Sequence, residues 1–230
     1  LVVPITTTMF TELSELKAEE NVDGMKRGIV SGMNQILFFS VPFMLYLAVF
    51  AYPLVSLLAI GAFTMDDVAL IASYLVVLAF ALPFYGLKSY FQKVFSSLRK
   101  MIVFALVDIV ATIAQVAFTI GGALLIDYGV DINSVAVGQI LFNLLAFLLL
   151  LAYLRHELGA FGMRSTVRAF MVSLVLGALG AAAGGAVLWL LQTFAGPLSG
   201  SILQSLAYVV AGGVVSLLVT FGLALKLKVP

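Results

Sequence analysis

Cysteine is absent from the 230 residues, which excludes disulfides, thiolate metal sites and cysteine nucleophiles. Histidine is reduced to His156 alone, leaving little room for imidazole metal chemistry. Charge is scarce: Asp, Glu, Lys and Arg make up 10% of the chain, against about a quarter in soluble domains. The formal net charge of +1 carries no electrostatic footprint for nucleic acid. There is no phosphate-cradling glycine loop before a lysine, no HExxH and no nucleophile elbow, so the ordinary enzyme classes find no support. A basic stretch with a cleavage site, the mark of a signal peptide, is also missing. The chain opens on Leu1 in what reads as the end of a helix, and a fragment of a longer protein is the expectation.

What is present is apolar. Hydrophobic residues make up 63% of the chain and the mean hydropathy is +1.19, far outside the range of soluble domains. Several of the 18 Phe and 8 Tyr sit near the ends of apolar runs, where interfacial belts form. Runs long enough to cross a bilayer fall at 31–60, 67–94, 101–126, 132–154, 167–193 and 202–226. Pro42 and Pro53 predict a kink in the first and Pro83 in the second. Ahead of them "TELSELKAEENVDGMKRG" has the charge spacing of a short helix on the membrane surface or in water.

Basic residues sort onto alternate connections. Lys17, Lys26 and Arg27 precede the first run; Lys93, Arg99 and Lys100 follow the second; Arg155, Arg164 and Arg168 follow the fourth; Lys226 and Lys228 follow the sixth. The intervening loops carry Asp66, Asp67, Asp127 and Asp131 and no Lys or Arg. By the positive-inside rule the first set is cytoplasmic. The expected fold class is all-α: a polytopic membrane helix bundle of six transmembrane helices, a short N-terminal cytoplasmic helical segment, and both ends cytoplasmic.

The third run, "IVFALVDIVATIAQVAFTIGG", contains Asp108, and a carboxylate in such a segment costs several kcal/mol unless compensated. Thr112, Gln115 and Thr119 follow on the same helical face. The fourth run carries Gln139 and Asn143 one turn apart. Such faces point to protein or to a water-filled cavity. Asp108 is eight residues beyond Lys100, about 12 Å along a helix. Lys88 stands five residues before Lys93, about 7–8 Å from the same membrane face, which makes it the candidate partner. The pair can neutralise itself and hold helix register, couple to a cation or proton, or touch substrate. Gln139 and Asn143 either glue helices or face a substrate cavity.

In the last two runs Gly177, Ala181 and Gly185 are four apart, as are Gly180 and Gly184, and Gly212 and Ser216. This spacing lets helix backbones approach. It reads either as a packing seam or as the border of a groove shallow enough for a lipid chain. Trp189 reads as an interfacial anchor.

Three stretches carry a family resemblance. One is the helix end Phe10–Ser14. Another is Pro53 and Leu54 followed by Gly61, Phe63 and Asp66. The last is Lys88 followed by an aromatic-rich approach to the basic Lys100. With them the chain resembles the MurJ/MviN family, lipid II flippases of the multidrug/oligosaccharidyl-lipid/polysaccharide exporter superfamily, over nearly its whole length. Thr11 stands where that family has proline, a proline is missing at Lys100–Met101, and Gln115 stands for an asparagine. The resemblance implies the last six of fourteen helices in a carrier of the bacterial inner membrane. Such a carrier moves an undecaprenyl-pyrophosphate-linked peptidoglycan precursor, lipid II, to the outer leaflet by alternating access.

On that resemblance residues 1–30 are the end of a preceding helix and a cytoplasmic connector. Residues 31–154 supply four helices of the carboxy-terminal lobe, and 155–230 a loop and two helices forming a lipid-tail groove at Gly177, Ala181, Gly184, Gly185, Gly212 and Ser216. Asp108, Thr112 and Gln115 with Lys88 become an ion-coupling or cavity group, with sodium at Asp108 or a proton as the coupled ion. Gln139 and Asn143 become cavity residues. No other cofactor, metal or nucleic acid is expected; the partners are lipid II, membrane lipids and an amino-terminal lobe. Exporters of other lipid-linked oligosaccharides, an antiporter for small organic cations and a non-transporting scaffold are the competing readings. The resemblance also implies that a cytoplasmic regulatory extension, carried by many actinobacterial relatives after the last helix, could begin at "KLKVP".

Overall fold

The computed structural model describes residues 13–19, 21–58, 64–124, 133–196, 198 and 201–227. The motif residues Phe10–Glu12, Gly61 and Phe63, the loop aspartates Asp127 and Asp131, and Lys228 lie outside the described residues. Among the described residues there are helices and no strand. A helical stretch at 13–18 precedes α1 (Val22–Ser56), α2 (Met65–Ala79), α3 (Leu82–Ser97), α4 (Met101–Leu124), α5 (Ser134–Leu158), α6 (Met163–Ala195) and α7 (Ile202–Lys226). Among the described residues, five helices are by themselves long and apolar enough to cross a membrane, and α2 with α3 makes a sixth span if that bent pair is counted as one.

α1 begins at Val22, ahead of the apolar run predicted from 31, and continues through Pro42 and Pro53. Its 35 residues amount to about 52 Å of helical rise, more than a hydrocarbon core of about 30 Å requires. Asn21 explains the early start: its Oδ1 accepts from the Gly24 amide at 2.8 Å, and Asp23 in the first turn suits the positive helix end. α2 starts in a capping box: Thr64 Oγ1 accepts from the Asp67 amide, and Asp67 Oδ2 accepts from the Thr64 amide. The single kinked helix expected over 67–94 is two helices, parted at Phe80 and Ala81. Pro83 sits in the first turn of α3, where its missing amide costs least but cannot continue the helix before it.

α3 ends in a Schellman motif. The Lys100 amide donates to Phe95 O at 2.9 Å and the Arg99 amide to Ser96 O at 3.0 Å. Arg99 stands at φ 58°, where glycine is usual. Lys17, from the 13–18 stretch, donates to the carbonyl of Leu98 at the helix end. Gly159 after α5 and Gly196 after α6 have φ of 82° and 99°, positive values that glycine adopts at little steric cost.

The chain forms two compact units. The first takes Leu1–Ser40 and Ala81–Met171, the second Val41–Phe80 and Val172–Pro230. In the first, α4 packs chiefly on α5, and α5 on α3. Its core is aromatic: Phe91 meets Phe147 at 5.3 Å between ring centroids, and Phe95 meets Tyr153 at 5.7 Å. Tyr90 is fully buried and fills the notch at Gly32, its hydroxyl donating to Gly28 O at 3.2 Å.

In the second unit, Ala51 and Val55 of α1 pack with Val68 and Ala72 of α2. Phe50 of α1 packs with Leu188 of α6 and Tyr208 of α7. α7 buries Ser205, Val209, Gly212, Ser216, Thr220 and Ala224, and leaves Val210, Val214, Leu217 and Leu218 exposed. A helix with one buried stripe and an apolar open face is suited to lipid on that side.

Candidate functional site

Lys88 and Asp108 come together in the first unit, from α3 and α4. Lys88 Nζ lies 2.6 Å from Asp108 Oδ1, a close ion pair. Their surroundings differ. The Lys88 ammonium stands 4.0 Å from the centroid of the Phe142 ring and 5.9 Å from that of Phe104, so its remaining faces meet aromatic π-clouds. Its side chain is 16% exposed, that of Asp108 37%. The lysine is enclosed and the carboxylate has one open side.

That open side borders a concavity of about 410 Å³ lined by Phe104, Ala105, Asp108, Ile109, Thr112 and Ile113. The Thr112 hydroxyl donates to the Asp108 carbonyl oxygen at 2.7 Å, so its own oxygen remains an acceptor facing outward. One carboxylate and one hydroxyl on an apolar wall suit a small cation or a donor group, and oxygen ligands are those that hard cations take.

The stripe then divides. Gln115 turns to α5, donating from Nε2 to Gln139 Oε1 at 2.9 Å. Thr119 lies against Gly138, where an added Cβ would come within 2.7 Å of its hydroxyl. Asn143 is 1% exposed and donates from Nδ2 to the Gln139 carbonyl at 2.8 Å. Thus Asp108 and Thr112 border one concavity, Lys88 backs Asp108, Gln115 and Gln139 join α4 to α5, and Asn143 is buried with its amide on a carbonyl of its own helix.

Two features escaped the sequence. The first is the aromatic wall around Lys88; Phe104, one turn before Asp108, was a legible signal, but nothing in the sequence brings Phe142 across. The second joins α4 to the end of α5. Lys100 pairs with Glu157, stands 3.4 Å from the Tyr153 hydroxyl and lies over that ring. The hydrogen bond that Lys100 donates to the Glu157 carboxylate holds its amine above the ordinary range. The i, i+4 spacing of Tyr153 and Glu157 was its signal.

The small residues lie in the second unit against protein. A Cβ added at Gly177 would stand 2.8 Å from Pro42 Cα, and one at Gly184 2.7 Å from Gly212 O. Gly180 meets Thr220, Gly212 meets the Phe50 ring, and Gly185 faces Val49 at 3.3 Å. Ala181 and Ser216 are 5% and 3% exposed. These residues let α6, α7 and the second part of α1 approach closely. Trp189 is exposed near the end of α6.

The family profile described as Lipid II flippase MurJ matches residues 1–211 of the chain. No curated protein matches it.

Proposed function

The chain belongs to the lipid II flippase MurJ family, a family of membrane transport proteins in peptidoglycan biosynthesis, and on that premise we propose that it works as the carboxy-terminal lobe of an ion-coupled flippase. In this reading it crosses the bacterial inner membrane six times with both ends cytoplasmic. It moves the undecaprenyl-pyrophosphate-linked precursor from the inner to the outer leaflet by alternating access. The prenyl tail lies along α6 and α7, whose small-residue seam holds the helices together beneath their apolar open faces.

The observation that carries the coupling is the unequal exposure of the Lys88–Asp108 pair. Alternating access needs two arrangements whose balance a ligand shifts by binding one better than the other. Empty, Asp108 is neutralised by Lys88. Loaded, a sodium ion or a proton arriving through the concavity at Asp108 and Thr112 competes for the carboxylate. The Lys88 ammonium then rests on Phe142 and Phe104. Losing one partner of a desolvated pair is costly, so loading changes which packing of α3, α4 and α5 is preferred. Gln115 and Gln139 keep α4 and α5 in register during the exchange.

The test is lipid II protection measured with the whole protein under imposed sodium, proton and potential gradients. Asp108→Asn should remove the dependence on one of these gradients while leaving the protein folded. Flipping by the variant that responds to every gradient as wild type does sinks the coupling. Export of a fluorescent organic cation without lipid II movement would favour an antiporter, and neither activity would favour a scaffold.

A further inference from the structure

The first turns of α6 carry a pair of arginines to which the coupling at Asp108 assigns no role. Arg164 and Arg168 are one helical turn apart, both exposed, and together with Ser165 and Val167 they line a concavity of about 640 Å³. Among the described residues neither arginine forms an ion pair or another polar contact. The turn that presents them is anchored from behind: Phe161 and Thr166 are 7% and 5% exposed, and the Ser165 hydroxyl donates to Gly162 O at 3.2 Å. α6 begins at Met163, so free amides and the positive end of a long helix face the same place. Immediately along the same face the surface turns apolar, with Val167 and Met171 56% and 55% exposed.

Two unpaired guanidinium groups above a strip of exposed apolar side chains, at the head of a membrane-length helix, match a molecule with an anionic head and a hydrocarbon body. We propose that this end of α6 is a binding site for an anionic membrane phospholipid. Arg164 and Arg168 take the headgroup phosphate, and Val167 and Met171 lie along the upper acyl chain. Arginine suits phosphate through its planar fork of donors. A phosphate in free solution gains nothing from the apolar strip, which is why the lipid is the occupant rather than a soluble anion. The site is independent of the coupling proposed for Asp108, and its test requires no transport.

The whole protein is placed in bilayer discs of phosphatidylcholine containing a trace of spin-labelled phosphatidylglycerol or spin-labelled phosphatidylcholine, and the immobilised fraction is read for each. Wild type should retain the anionic lipid preferentially. Each basic residue near a membrane surface is worth about fivefold in affinity for an anionic headgroup. Arg164→Gln or Arg168→Gln should therefore lose about fivefold, and the double variant on the order of twentyfold. Arg164→Lys with Arg168→Lys should keep most of the preference, which separates lost charge from lost fold. Lys93→Gln, at another exposed basic residue of the first unit, should lose little. Equal retention of the two lipids by wild type overturns the proposal. So does a Lys93→Gln variant as weak as the double arginine variant, because that result means diffuse attraction. Full displacement of the lipid by millimolar inorganic phosphate marks a soluble-anion site and overturns it as well.

Discussion

At the scale of the residue, the pairing of Lys88 with Asp108 was legible from counting alone. Both stand within about two turns of the same basic membrane face, and rise per residue converts sequence distance into depth. What counting could not supply was the inequality between them, since Phe142 arrives from a helix whose rotation no local pattern states. That inequality makes a prediction. Lys88→Met leaves the carboxylate without its partner and should destabilise the protein by roughly 2 kcal/mol. The figure is below that of a fully buried pair because Asp108 is 37% exposed and partly screened. Lys88→Met combined with Asp108→Leu should recover most of the loss, since replacing both members removes the stranded charge. Thermal unfolding of the three variants in detergent checks the order, and a double variant weaker than Lys88→Met would contradict it.

At the scale of the element, apolar runs announced the long helices, because a bilayer demands both apolarity and length. Their ends depended on other physics. α1 starts at Val22 on an Asn21 cap, and the second run breaks at Phe80–Ala81 ahead of Pro83; hydropathy reports neither backbone hydrogen bonding nor capping. The small-residue spacing on α6 and α7 signalled close approach, and the structure supplies what approaches: Phe50, Pro42 and Val49 of α1 as well as the facing backbones. Gly212→Ala puts a methyl into the Phe50 ring and should cost about 2 kcal/mol through overpacking. Phe50→Leu in the same chain should recover part of that. A melting temperature unchanged by Gly212→Ala would mean the seam is looser than these contacts.

At the scale of the whole molecule, the chain is a multi-pass membrane protein of the lipid II flippase family. Its division into compact units cuts α1 after Ser40 and α6 after Met171, places where no shift of composition occurs. The orientation expected from the placement of Lys and Arg is directly testable, because the chain has no cysteine. Single cysteines at Lys17, Arg99 and Arg164 should react with an impermeant thiol reagent only from the cytoplasmic side. One at Asp66 should react only from outside. Labelling of Asp66→Cys and Arg164→Cys from the same side would overturn the six-span arrangement.

By itself the sequence determined the class and the long apolar segments that become helices. A bilayer reads composition one segment at a time, and that information is local. The tertiary structure alone decided which face of each helix meets a neighbour. It turned Thr112 outward and Gln115 inward, enclosed Lys88 while leaving Asp108 open, and closed the small-residue seam on α1. Those outcomes depend on side-chain packing between segments distant in the chain, and a sequence carries no coordinate for rotation about a helix axis.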